Sequence, residues 1–392
     1  MTPPVCRILR SRGELEAALR EVEPYPASLP IMMAKGKFLT IQLVNLDPRA
    51  ANILKQEMLA RGGEAAISWE VLALHGKPSD VLLLGTTAQL QSLCAKMKLQ
   101  PFGLHDWAGK LEQLLVHHGS SPAPTTLRAR NFAWGERTFL MGIINLTPDS
   151  FSGDGMAGRV DQALKKAQRM VEQGADLIDV GGESTRPGHD PVDIATEWGR
   201  VADFLREFLP HSPLPVSLDT WKEEIARRGL ELGVDLINDV WGLRRSRGIA
   251  RLVAQHKAGL ILQHNRQHAE YRHFLPEVVA DLEESMSWAF EDGVSPECVI
   301  VDPGFGFGKT PEQNFWLLRE LRALRGLGQP LLAGVSHKSF IGLATGKLPA
   351  ERLLGTAAAI ALAIEGGADL VRVHEVAEMR EVVQVCDRAL RC

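Results

Sequence analysis

The chain has 392 residues, 45% of them apolar, and a formal net charge of −4. That length exceeds one ordinary domain and falls short of three, and the apolar share supports a sizeable core. A mildly acidic chain without a basic run lacks the electrostatic footprint of a nucleic-acid binder, and no apolar window reaches membrane-spanning length.

Five scattered cysteines (Cys6, Cys94, Cys298, Cys386, Cys392) are odd in number and never spaced C-x-x-C. They read as reduced thiols of a cytoplasmic protein, not as a disulfide framework or zinc site. The N-terminus has no basic start followed by an apolar stretch, so no signal peptide is expected.

In chain order, residues 38–46 predict a strand and 48–61 a helix ending at Gly62-Gly63, a C-cap pair. Residues 81–84 predict a short buried strand, and 89–99 and 107–117 amphipathic helices. This makes 1–118 a small α+β domain, without a chemical constellation of its own. The run Gly119-Ser-Ser-Pro-Ala-Pro-Thr-Thr126 predicts a linker over 119–130. Residues 131–138, with Gly135 between aromatic and polar groups, predict a hairpin strand capping the bottom of a second domain.

From there the pattern is regular. Apolar runs at 139–145, 176–182, 214–219, 235–239, 259–264, 298–303, 330–336 and 369–374 alternate with stretches of helical spacing. Near-uniform apolar runs are expected of parallel strands buried on both faces. Eight such units over 131–392 predict an α/β fold, a (β/α)8 TIM barrel, with a doubly wound sheet as the runner-up.

Barrel enzymes carry their chemistry at the C-terminal strand ends. Here those ends read Asn145, Asp179, Asp219, Asn238, His264, Asp302, Lys338 with Ser339, and Arg372 with His374. Asp219, Asn238 and Asp302 offer acceptors and an amide suited to a flat heterocycle with amine and ring N–H donors. Lys338 can donate to such a ring, and the Arg372 guanidinium can lie over it. Thr185, Arg186, Arg372 and His374, with the Gly-rich loop after Asn145, read as a phosphate or diphosphate site. Single residues have plainer readings. Ser339 could N-cap a helix, Phe307 could be loop packing, and Asp179, two residues inside its strand end, could bond neighbouring loops. Gly304 to Thr310 is not a P-loop, because three residues rather than four separate Gly304 from Gly308. His264, His268 and His273 match no standard zinc spacing.

These segments resemble the dihydropteroate synthase family. The resemblance lies in Asn145-Leu-Thr-Pro-Asp-Ser-Phe-Ser152, Asp179-Val-Gly-Gly-Glu-Ser-Thr-Arg-Pro-Gly188, Asp302-Pro-Gly-Phe-Gly-Phe-Gly-Lys309, Ser336-His-Lys-Ser339 and Arg372-Val-His374. It implies an enzyme of folate synthesis that joins p-aminobenzoate to a hydroxymethyl-dihydropterin diphosphate and releases diphosphate. It further implies that Asp219, Asn238, Asp302 and Lys338 hold the pterin with Arg372 stacked on it. Thr185, Arg186, Arg372 and His374 would hold the diphosphate, and Phe307 and Ser339 would border the p-aminobenzoate pocket, where sulfonamides compete. Asn145 would help position Mg²⁺. Family members usually dimerise, so a homodimer is expected. The chain departs from the family at His337, where Arg is usual, at Gln263 in strand five, and at Glu375, where Asp is common. Two rivals keep the barrel and change the chemistry: a pterin-binding methyltransferase of the corrinoid type, and a non-catalytic pterin-binding paralogue.

Overall fold

The structure, a computed structural model, describes residues 7, 9, 12–72, 76–147, 156–183 and 191–391. It falls into two compact units, Met1–Ser120 and Ser121–Cys392.

The first unit carries an antiparallel sheet of β1 (Phe38–Leu46), β2 (Glu64–Ile67) and β3 (Ser79–Thr86), in the order β1-β3-β2. The helix Pro48–Leu59 starts where the Asp47 carboxylate accepts from Arg49 N, with proline in its first turn. It ends near Gly62, whose φ of 72° suits glycine. That helix and the helices Thr87–Met97 and Leu104–Gly119 bury Leu54, Met58, Leu90, Leu93 and Leu111 with the sheet residues Val81 and Leu83. β2 and the helices Arg12–Arg20 and Leu29–Gly36 were not expected. Four residues with two alanines give β2 too little alternation to read.

The second unit opens with a hairpin of β4 (Thr125–Leu127) and β5 (Arg130–Phe132), turning at Arg128 and Ala129, both at positive φ. The expected linker over 119–130 therefore already contains a strand, and the hairpin begins upstream of the expected 131–138 and runs into it. Thr125 is fully buried and donates to Glu297 O at 2.6 Å, while accepting from Trp134 Nε1 at 2.9 Å. A composition reading of Pro-Ala-Pro-Thr-Thr cannot see those partners.

Eight parallel strands complete the unit: β6 (Phe139–Asn145), β7 (Leu177–Gly181), β8 (Val216–Asp219), β9 (Leu236–Asp239), β10 (Gly259–Gln263), β11 (Val299–Asp302), β12 (Leu332–Ala333) and β13 (Leu370–Val373). Their order is β11-β10-β9-β8-β7-β6-β13-β12, and a bridge from Val301 to Leu331 closes the ring. This is the (β/α)8 barrel the sequence predicts, although the seventh strand keeps only two residues of the expected 330–336.

The outward strand faces pack under the helices, with Val180, Leu218, Ile237, Leu262 and Val301 fully buried. Inside, Phe139, Met141, Leu177, Leu236, Ile261, Ile300, Leu332 and Leu370 form an apolar floor, plugged from below by Phe132 and Trp134. Side chains alternate along a strand. The next inward positions, two residues beyond that floor, are therefore Ile143, Asp179, Asn238, Gln263, Asp302, Gly334 and Arg372. Apart from Ile143 and Gly334, the interior turns from apolar to polar within one layer.

Candidate active site

That polar layer is the candidate site. Arg372 on β13 bridges two carboxylates: its Nε donates to Asp179 Oδ2 at 2.6 Å and an Nη to Asp219 Oδ2 at 2.8 Å. Asn238 Nδ2 donates to the same Asp179 oxygen at 3.2 Å. Asp179 is fully buried, and Asp219 and Asn238 are nearly so. Burial, and then the neighbouring Asp179, push the Asp219 carboxyl up despite the opposing pull of Arg372. Burial alone would lower the Arg372 pKa, but Asp179 and Asp219 outweigh it and keep the guanidinium charged.

The network is incomplete on one side. Asp179 Oδ1, Asp219 Oδ1, Asn238 Oδ1 and Ser217 Oγ are buried without a partner among the described residues. Each such atom costs about 1–3 kcal/mol unless something hydrogen-bonds to it. The three carboxylate and amide oxygens form a set of acceptors suited to a donor-rich molecule, and the Ser217 hydroxyl can donate or accept.

The loop after β11 forms the opposite wall. Asp302 Oδ1 accepts from Gly304 N at 2.7 Å, and burial raises the Asp302 pKa. A side chain at Gly304 would run into His264 O at 1.9 Å, so the chain needs glycine there. Gly306, at φ 81°, lets the Lys338 stem pass: a Cβ there would sit 3.1 Å from its Cδ. The Lys338 ammonium stands 4.1 Å from the centre of the Phe307 ring. The sequence reading and the geometry thus bring Asp219, Asn238, Asp302, Phe307, Lys338 and Arg372 into one rim.

Lys309 ties this loop down. Its ammonium donates to His264 Nδ1 at 2.8 Å, Gly304 O at 3.1 Å and Phe307 O at 3.0 Å. Burial lowers Lys309 to about 7, and burial with the Lys309 charge lowers His264 to about 4. Neutral His264 accepts from Lys309 and donates from Nε2 to Asp281, 3.1 Å away. His264 is therefore a buried support for the loop. Among the described residues it does not converge with His268 and His273 as a metal site.

Two other sequence readings change. Among the described residues Asp179 bonds Arg372 and Asn238 in the barrel interior, not a neighbouring loop. Strand parity, counted from Leu177, would have placed it there. Ser339 is not an N-cap: Lys338 holds that position, and Ser339 is the exposed first residue of the helix Ser339–Thr345. Gln263 is buried beside Val240 O, 3.4 Å from its Nε2. Thr185 and Arg186 lie outside the described residues, as do residues 148–155 of the first loop. The base of the 184–190 segment is described: Glu183 accepts from Val192 N at 2.8 Å and from Trp221 Nε1 at 2.9 Å. Lys222 holds both Glu183, at 3.3 Å, and Glu197, at 2.6 Å.

At the outer edge, His374 Nδ1 lies 2.8 Å from Ser336 Oγ. Asn145 is the last residue of β6. It pairs with Gly181, and a Cβ at Gly181 would meet Asn145 Oδ1 at 3.8 Å and Asp219 Cβ at 3.5 Å. A neutral amide oxygen beside a glycine and a carboxylate residue fits Mg²⁺, which takes few protein oxygens and fills its shell with water and phosphate.

A family profile described as pterin-binding enzyme matches residues 141–374. A dihydropteroate synthase of Clostridium beijerinckii is 41% identical over 264 residues, which is 67% of this chain and 98% of that one. A probable bifunctional folylpolyglutamate synthase/dihydropteroate synthase of Halobacterium salinarum is 38% identical over 385 residues, 96% of this chain but only 46% of the relative. The crystal structure of a Xanthomonas albilineans dihydropteroate synthase with 4-aminobenzoic acid superposes with a TM-score of 0.66 at 38% identity, covering 70% of this chain and all of that one.

Proposed function

From the premise that this chain belongs to the dihydropteroate synthase family of pterin-binding enzymes, we propose how its rim carries out the family's transferase reaction. The substrates are a hydroxymethyl-dihydropterin diphosphate and p-aminobenzoate, and the products are dihydropteroate and diphosphate. The observation that carries the assignment is the buried acceptor set of Asp179, Asp219 and Asn238 facing Asp302. A pterin edge presents an amino group and ring N–H donors, and such a set rejects a ring that cannot donate, because its own acceptors would stay unpaired.

Asp219, Asn238 and Asp302 hold the ring. Lys338 donates to it from the β12 side, and Arg372, fixed by two carboxylates, lies across its face. The bond between the pterin methylene and the diphosphate oxygen breaks, and its electron pair leaves with the diphosphate. The pterin ring spreads the resulting positive charge, and the Asp219 and Asp302 carboxylates stabilise it in a site shielded from bulk water. The aryl amine then forms the new C–N bond and loses a proton, which its bonding makes acidic. Arg372 and His374, with Thr185 and Arg186 by resemblance, receive the diphosphate. Asn145 would hold Mg²⁺, which supplies charge neutralisation at the leaving diphosphate when bound. Phe307 and Ser339 border the p-aminobenzoate side. The Phe307 ring against Lys338 gives that side an apolar wall next to a cation, suited to an aryl carboxylate. A cytoplasmic homodimer belongs to the same reading. Leu343, Leu354, Leu362 and Val385 stand exposed on the helices Ser339–Thr345, Leu353–Glu365 and Val376–Leu390.

Diphosphate release, assayed with and without p-aminobenzoate, tests the function. Release that depends on the amine supports it. A protein that binds the pterin without release would be the non-catalytic paralogue, and methyl transfer to a corrinoid would be the rival enzyme.

A further inference from the structure

We propose that His337 is a positioning residue for the diphosphate end of the substrate: clamped as an imidazolium by Glu375, it fixes His374 and makes diphosphate binding depend on pH. This rests on the transferase reading of the rim.

The geometry sets the protonation of the ring. His337 Nδ1 lies 2.6 Å from Pro349 O, and Nε2 lies 2.8 Å from Glu375 Oε2. A carbonyl and a carboxylate only accept, so both ring nitrogens must carry protons. The bond from Glu375 raises the His337 pKa accordingly, against a smaller opposing effect of burial. The ring then stands edge-on to His374, with centroids 5.1 Å apart and planes at 73°. His374 is braced from its other side by Ser336 Oγ. His337 thus forms one jaw of a holder for the residue assigned to the diphosphate.

Its placement is over-determined. His337 sits at φ 56°, a left-handed state that a residue with a Cβ adopts at a cost. Its backbone N–H donates to Thr356 Oγ1 at 3.1 Å, and its carbonyl accepts from the Arg352 guanidinium at 2.8 Å. The charged and titratable groups around the ring are Glu375, His374, Arg352, the adjacent Lys338, and Lys166, which acts on Glu375. Among these described residues Glu375 is the one anion. Loss of the His337 proton would set a lone pair against the Glu375 oxygen and release the ring.

His337, His374 and Glu375 each bring a possible ligand atom within 4.8 Å of the others. The 2.8 Å between Nε2 and Oε2 is a hydrogen bond. Two atoms each about 2.0 Å from a shared tetrahedral ion stand further apart, at roughly 3.3 Å. Their contact also explains two departures from the family motif as one change. A shorter cationic side chain at 337 meets a longer carboxylate at 375.

The test measures binding of inorganic diphosphate to the full chain by calorimetry, and KM for the pterin diphosphate, from about pH 6 to 9. Wild type should weaken at least about threefold as pH rises through the His337 titration. H337R, which keeps a fixed cation, should lose that dependence, most cleanly in an H337R/E375D pair. H337Q should bind weakly at low pH and converge on wild type at high pH, with KM for p-aminobenzoate unmoved. The proposal is overturned if H337Q matches wild type at low pH, if the pH dependence persists in H337R, or if H337Q lowers kcat equally at every pH with KM intact. Failure of the transferase reading would appear separately, as absence of turnover in wild type, and the calorimetric arm would still decide on His337.

Discussion

The two ends of the barrel use aspartate to opposite effect. At the floor, Asp176, Asp235 and Asp369 each precede a strand and are fully engaged. Asp176 takes Arg137 at 2.6 Å and Leu140 N at 2.9 Å; Asp235 takes Arg128 at 2.9 Å and Val216 N at 2.8 Å; Asp369 takes Arg325 at 2.5 Å and Leu331 N at 3.0 Å. Each carboxylate pins the start of a neighbouring strand and leaves nothing for a ligand. At the rim, Asp179 and Asp219 share one arginine, and each keeps a buried oxygen unpaired among the described residues. Asp176 and Asp369 are as buried as Asp179 and Asp219 yet hold the fold, so partner count separates the two classes better than burial does.

Substitutions at the two ends can break that division. The largest effect is expected at the rim. Asp302→Ala should abolish turnover, a loss on the order of 10³-fold in kcat/KM, measured as diphosphate release. Its unfolding midpoint should fall only modestly, because the hydrogen bond the carboxylate gives up among the described residues is the one from Gly304 N. Normal activity in that variant would end the pterin assignment. Arg372→Ala comes next. It should raise KM for the pterin diphosphate at least about tenfold by loss of charge-assisted contacts. An unchanged KM would remove Arg372 from the site. At the floor, Asp235→Ala should cost about 2 kcal/mol in urea unfolding, discounted for the partial exposure of Arg128, with kcat and both KM values retained. A catalytic defect without instability would merge the two classes. The smallest change is expected at Ser339→Ala. The residue is exposed and caps nothing, so KM for p-aminobenzoate should rise about twofold and stability should stay constant.

Much of the barrel was legible because its physics is periodic. Uniform apolar runs such as Leu177–Gly181 and Val299–Asp302 mark doubly buried strands, and polar strand ends mark the rim. The features that stayed hidden depended on distant partners. β4 begins inside a Pro-rich stretch because Thr125 meets Trp134 Nε1 and, from far along the chain, Glu297 O. Lys309 looked like the end of a glycine motif, and its role as the clamp of the 304–308 loop needs His264 from another strand. Asp179 is legible from parity with Leu177, which places it in the interior although it lies two residues before the strand end. His337 and Glu375 stood out singly as departures; only the structure shows them touching. The first unit folds around its own core, and nothing in its residues points to a chemistry.

The most direct test is a crystal structure of the protein soaked with 6-hydroxymethylpterin diphosphate. The account predicts the pterin edge within hydrogen-bond distance of Asp219 Oδ1, Asn238 Oδ1 and Asp302, with the diphosphate toward Arg372 and His374. A ring lodged elsewhere, with those buried oxygens still unpartnered, would contradict it.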